Sequence, residues 1–77
     1  MIKISDHARK AMAKHGITED EVMEAMIDGE TEFEVFKGDE KRYGNVLTEK
    51  MRKLVAIWCY ENGIKMVITC YPLRRKG

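Results

Sequence analysis

Asn62-Gly63 stands between two runs rich in β-branched, aromatic and aliphatic residues, 54–61 and 64–71, and no other feature constrains this chain as tightly. Both central residues of a type I′ turn need positive φ, and Asn-Gly meets that need readily, so the two runs are predicted to form a hairpin with a two-residue loop. The loop fixes the register. Glu61 pairs with Ile64, Cys59 with Met66, Ile57 with Ile68, and Val55 with Cys70, which makes their shared side the core face. The opposite face carries Tyr60 beside Lys65, Trp58 beside Val67, Ala56 beside Thr69, and Leu54 beside Tyr71. That face is expected to be amphipathic and available. Cys59 and Cys70 then share a face but lie on the order of 13 Å apart at about 3.3 Å per residue, too far for a disulfide, and both are expected to be reduced core residues.

Upstream, the period changes. Ser5 followed by residues 6–15 and Gly16 reads as an N-cap, about three helical turns and a C′ glycine. Ala8, Ala11, Met12 and His15 share its apolar side, and His7, Lys10 and Lys14 share one flank. Thr18 and Glu21 form a capping box, with Ile17 and Val22 as a hydrophobic staple, for a second helix over about 19–28 that stops at Gly29. Its buried stripe is Val22, Met23, Met26 and Ile27. Residues 31–37 alternate as a half-buried strand, Gly38-Asp39 signals a turn, and residues 42–48 return as a weaker strand containing Gly44. The expected architecture is α+β: two N-terminal helices packed on a three- or four-stranded antiparallel sheet.

Length and composition suit one small domain spanning residues 1–77. The chain is 44% apolar and 35% charged, with 14 Lys and Arg against 13 Asp and Glu, too apolar for disorder. The net charge of +1 is misleading. Between Glu19 and Glu34 there are eight acidic residues and no basic one, so all 14 cations lie elsewhere with only five acids. A basic face and an acidic second helix suited to a basic partner are both compatible with that dipolar pattern. No apolar run approaches the roughly 18–20 residues of a membrane span, and residues 1–6 lack the apolar region of a signal peptide, so a cytoplasmic protein without a membrane partner is expected.

No nucleophile-base triad, phosphate-cradling glycine loop or zinc signature is present, and no cofactor or metal is implied. Metal-free RNA cleavage needs only a base near a ribose 2′-OH, cations for the developing phosphorane charge and a proton donor for the leaving oxygen. His7, Arg42, and Tyr43 or Tyr71 supply those types. The basic sets at 41–42, 50, 52–53 and 74–76 could contact phosphate, and Trp58, Tyr60, Lys65, Thr69 and Tyr71 could form a base-stacking platform. The same face could instead pack against a protein.

Several of these residues also carry a family resemblance. Ile4-Ser5-Asp6-His7-Ala8 opening a helix, then His15-Gly16-Ile17-Thr18-Glu19-Asp20-Glu21-Val22, Lys41-Arg42-Tyr43-Gly44, Leu54-Val55-Ala56-Ile57 and Val67-Ile68-Thr69-Cys70-Tyr71, resembles the small prokaryotic family known as domain of unknown function 4258. That family is similar to RelE- and BrnT-type ribonuclease toxins. The resemblance implies helices packed on an antiparallel sheet and an RNA-directed activity, with His7, Arg42 and Thr69 as catalytic residues. Together with the helix flank, the basic sets and the aromatic strand face read above, this places expected RNA contacts at Lys10, Lys14, Tyr43, Lys53, Trp58, Lys65 and Tyr71, and the expected partner besides RNA is an antitoxin or another protein, with homo-oligomers allowed. Ala11 and His15 stand where the family often has basic residues. The alternative is a non-catalytic protein- or RNA-binding module.

Overall fold

The computed structural model describes residues 1–49 and 52–73, so the basic positions expected at 50 and 74–76 lie outside the described residues. Five strands and two helices follow in the order β1 (Ile2–Ile4), α1 (Asp6–His15), α2 (Glu19–Ile27), β2 (Glu30–Lys37), β3 (Glu40–Thr48), β4 (Lys53–Glu61) and β5 (Ile64–Leu73). The sheet order is β1-β5-β4-β3-β2. β2 to β5 form an antiparallel meander, while β1 pairs parallel to β5 through Ile2↔Lys65 and Ile4↔Val67. The class is α+β, but the expectation of a three- or four-stranded antiparallel sheet is corrected to five strands with one parallel edge.

Local chemistry explains the elements. The Ser5 hydroxyl accepts from the Ala8 amide at 3.1 Å and donates to the Ile68 carbonyl at 3.1 Å, so one side chain caps α1 and ties it to β5. Gly16, at φ 64°, closes that helix in the left-handed region where a side chain would be strained. At α2, the Glu21 amide donates to Thr18 Oγ1 at 3.1 Å and the Thr18 amide to Glu21 Oε1 at 2.9 Å. The two turns follow their sequences. Asn62 and Gly63 both have positive φ, 51° and 75°, as a type I′ turn requires, whereas only Gly38 does so in the Gly38-Asp39 turn. Gly44 has a packing role: a Cβ there would collide with the ring of Phe33, which covers it from β2.

The hairpin register holds only near its turn. Glu61↔Ile64, Tyr60↔Lys65, Cys59↔Met66 and Trp58↔Val67 pair as expected, but a bulge then shifts the ladder so that Ile57 meets Thr69 and Ala56 meets Cys70. Ile68 is the extra residue. It moves Cys70 to the opposite side of the sheet from Cys59, so the two cysteines do not share a face; both are free and buried. Desolvation pushes both thiols above their ordinary pKa.

The faces were also expected the wrong way round. α1 lies along β5, and α2 lies over β3 and β4. Beneath them Leu54, Ala56, Trp58, Val67 and Cys70 join Ala8, Met12, Ile17, Val22, Ala25 and Met26 in the main core. The face predicted to be open is therefore the one that the helices cover. On the other side, Val46, Val55 and Ile57 form a second buried cluster under Phe33 and Tyr71. Fully burying each such valine contributes about 1.5–3 kcal/mol. In α2, Ala25 replaces Ile27 on the buried side, and Ile27 is left exposed. No helix among the described residues is long and apolar enough to cross a membrane.

One buried polar side chain holds the layers together. Asn45, 3% exposed, donates through Nδ2 to the Ala25 carbonyl at 3.2 Å, and its Oδ1 accepts from Trp58 Nε1 at 2.9 Å and Thr31 Oγ1 at 2.7 Å. Asn45→Leu strands those three partners at about 1–3 kcal/mol for each one that stays dry. Urea unfolding is expected to show a loss of at least about 2 kcal/mol; a loss under 0.5 would contradict this account of the node.

A second junction is ionic. Arg52, just before β4, donates to both Glu21 carboxylate oxygens at 3.0 and 3.1 Å and to the carbonyls of His15 and Gly16 at 3.4 and 3.2 Å. It thus clamps the α1–α2 connection to the sheet and is not a free phosphate contact. The Thr18 amide first, and Arg52 after it, hold the Glu21 carboxyl down at about 2, while the hydrogen bond with Glu21 is the leading cause that pushes Glu49 up. A depressed carboxyl stabilises the fold above its ordinary value and loses that contribution as pH falls through the folded one. Glu49 acts with the opposite sign, since its protonation relieves repulsion. Relative to Glu21→Gln, the wild-type chain is expected to lose about 1 kcal/mol, screened by solvent, as pH falls from 4.5 to about 2. Equal pH slopes of the unfolding midpoint in the two proteins would contradict this.

Candidate nucleic-acid interface

Side-chain alternation on three adjacent strands assembles an aromatic and cationic cluster near the Asn62-Gly63 turn. Tyr43 of β3 pairs with Trp58 of β4, and Tyr60 of β4 with Lys65 of β5. All four point to the helix-bearing side. Tyr43 and Trp58 stack with centroids 4.6 Å apart and planes 24° off parallel. Tyr60 stands edge-on to both, at 6.0 Å and 78° from Tyr43 and at 5.1 Å and 84° from Trp58. These are the offset-stacked and T-shaped arrangements that the ring quadrupole favours. Lys65 Nζ sits 4.9 Å over the Trp58 ring, and Lys41 Nζ 5.3 Å over the Tyr43 ring.

The members differ in what they can reach. Trp58 is only 4% exposed, so it is the floor of the cluster and not a surface for a base, whereas Tyr60 is 58% exposed. Tyr43 and Lys65 are half-buried and Lys41 is exposed. Lys41 also pairs with Glu34 at 3.0 Å, a contact that raises its pKa and keeps the ammonium charged. An exposed phenol ring on a rigid aromatic floor, with two ammonium groups beside it, can stack on a planar base and contact phosphate.

The remaining candidates divide between the two sides of the sheet. Arg42, Lys53, Thr69 and Tyr71 alternate onto the helix-free face with Val46, Val55 and Ile57. Tyr71 packs there against that apolar cluster. Arg42 Nη2 lies 3.3 Å from Glu40 Oε2, and its Nε is buried with no hydrogen-bond partner among the described residues. His7, Lys10 and Lys14 are exposed on α1, which is packed on the opposite side. His7 is thus separated by the sheet from Arg42 and Thr69. A shallow cleft of about 450 Å³ runs beside β1 and α2, and none of the three lines it.

Two participants were not singled out from sequence. Asn45 orients the Trp58 indole, and its signal was a lone amide in an otherwise apolar stretch of β3. Glu34 holds Lys41, a cross-strand ion pair that becomes visible only once the Gly38-Asp39 turn has set the β2–β3 register.

No curated protein and no solved structure matches the chain. The family described as a domain of unknown function (DUF4258) matches residues 4–72, which include both helices and nearly all of the sheet, and the chain belongs to that family.

Proposed function

We propose that this protein is an RNA-directed domain that binds single-stranded RNA at the turn end of its sheet. The observation that carries the proposal is the Tyr43–Trp58–Tyr60 cluster with Lys41 and Lys65 over its rings. Base faces are hidden in an RNA duplex and free in single strands, so an exposed aromatic beside cations selects the latter. Tyr60 stacks on a base, Lys65 and Lys41 contact phosphate, and Trp58 and Tyr43 hold the platform rigid. The likeness to RelE- and BrnT-type toxins expected from the order of motifs belongs to this proposal, and with it a cytoplasmic setting and an antitoxin-like protein partner.

Binding is favoured over cleavage by the placement of His7 across the sheet from Arg42 and Thr69. An acid or base must come within hydrogen-bond reach of the proton it moves, and the groups that would stabilise the phosphorane must face the same atom. The two sides of a sheet do not offer that.

Fluorescence anisotropy with a short labelled oligouridylate tests the proposal. Base stacking on an aromatic side chain is worth about 1–3 kcal/mol, so Tyr60→Ala is expected to weaken binding about 5- to 150-fold. Lys65→Glu is expected to lower the slope of log K against log salt by about 0.7 or more, the value of one phosphate contact on a single strand. Wild-type affinity and salt dependence in both variants would sink the proposal. RNA cleavage that His7→Ala abolishes would replace it with the ribonuclease reading.

A further inference from the structure

β2 forms one edge of the sheet, and its outer backbone has no partner among the described residues. The opposite edge, β1, has only three residues, whereas β2 has eight. Natural edge strands are kept from pairing by shortness, proline, charged side chains or bulges. β2 has no proline, its one lysine, Lys37, lies at its end, and its bulge between Thr31 and Phe33 leaves Phe33 to Lys37 in regular register, so its glutamates are the main device that screens the edge. Phe36 and Val35, 67% and 38% exposed, point to opposite faces along this open edge.

The hairpin turn determines which backbone groups are free. Lys37 and Glu40 flank the two-residue turn and form its closing hydrogen-bonded pair, so hydrogen-bonded pairs recur at Val35↔Arg42 and Phe33↔Gly44. The N–H and C=O groups of Phe36 and Glu34 therefore face outward. They are spaced for an added strand.

Charge specifies what kind of strand. Glu30, Glu32 and Glu34 line this edge, continuing the acidic run that begins at Glu19. Ion pairs among the described residues engage Glu19 with Arg9, Glu21 with Arg52 and Glu34 with Lys41, but none engages Glu24, Asp28, Glu30 or Glu32. A second copy of β2 would lay further glutamates against the first, and like charges across a ladder are destabilising.

We propose that the β2 edge docks an extended Lys- and Arg-bearing segment of a partner protein, which adds as a sixth strand to the five-stranded sheet. Its backbone pairs with the outward groups of Glu34 and Phe36. Its apolar residues share the face of Phe36, and its cations turn to the opposite face, which carries Glu30, with Glu32 at the neighbouring bulge. This surface is distinct from Tyr60 and Lys65, and the proposal does not rest on RNA binding.

The test uses a blocked heptapeptide of alternating valine and Lys or Arg, with a Val/Glu peptide as control, titrated into isotope-labelled protein. The basic peptide is expected to bind at least about tenfold more tightly than the acidic one and to shift the amides of residues 32–37. Phe36→Pro removes an outward N–H without touching the β3 ladder, so it is expected to keep the folded spectrum and weaken peptide binding about tenfold or more. The double variant Glu30→Lys/Glu32→Lys is expected to reverse the preference between peptides, and it keeps the test decisive if Phe36→Pro does not fold. Absence of basic-peptide binding, binding unaffected by the double variant, or self-association through β2 would each overturn the proposal.

Discussion

The three hydrogen bonds of Asn45 are the interaction on which the rest of the structure depends. Asn45 is the only buried polar side chain among the described residues, and it meets the last turn of α2 at Ala25, the start of β2 at Thr31 and the centre of β4 at Trp58. A chain this short has a small core, so one fully satisfied polar node inside it gives the layers a single relative position. An apolar residue at 45 could fill the space but could not fix the direction of the Trp58 indole. With Nε1 held, the ring presents one face to Tyr43 and supports Lys65 above it. The exposed part of the cluster inherits its rigidity from a contact beneath the surface.

The charge pattern acquires a spatial meaning from the same arrangement. A net charge of +1 conceals two surfaces of opposite character. Lys41 and Lys65 stand over aromatic rings at the turn end, while Glu30 and Glu32 line the outer strand. Lys41 and Glu34 meet where these surfaces adjoin, and their ion pair neutralises part of each. Arg52 is spent within the fold, so its cation belongs to neither. Counting charges along the chain overstates what is available at the surface.

Signals set by a few neighbouring residues were legible in the sequence. The caps at Ser5 and Thr18, the Gly16 terminus and the Asn62-Gly63 turn each depend on local hydrogen bonds or a local φ, and each is present. What failed depends on distant contacts. β1 is too short to show a period, and its partner lies at the other end of the chain. The bulge at Ile68 is invisible because Val67, Ile68 and Thr69 all suit a strand, yet one extra residue inverts every face beyond it. β4 offers no guide to which side the helices cover, since residues 54–59 are buried on both faces and read as one continuous apolar run. The candidate residues were drawn together by type and order, and the pleat then divided them, with Arg42, Lys53, Thr69 and Tyr71 on one side and Tyr43, Trp58 and Lys65 on the other.

Under the proposed function, RNA meets this protein on the Tyr60 side of the sheet. Chemical-shift mapping of isotope-labelled protein with a short single-stranded oligouridylate tests it most directly. The largest shifts are expected at Lys41, Tyr43, Tyr60, Lys65 and the Trp58 indole N–H. Shifts centred instead on Arg42, Thr69 and Tyr71, or none at concentrations that saturate an ordinary single-strand binder, would contradict it.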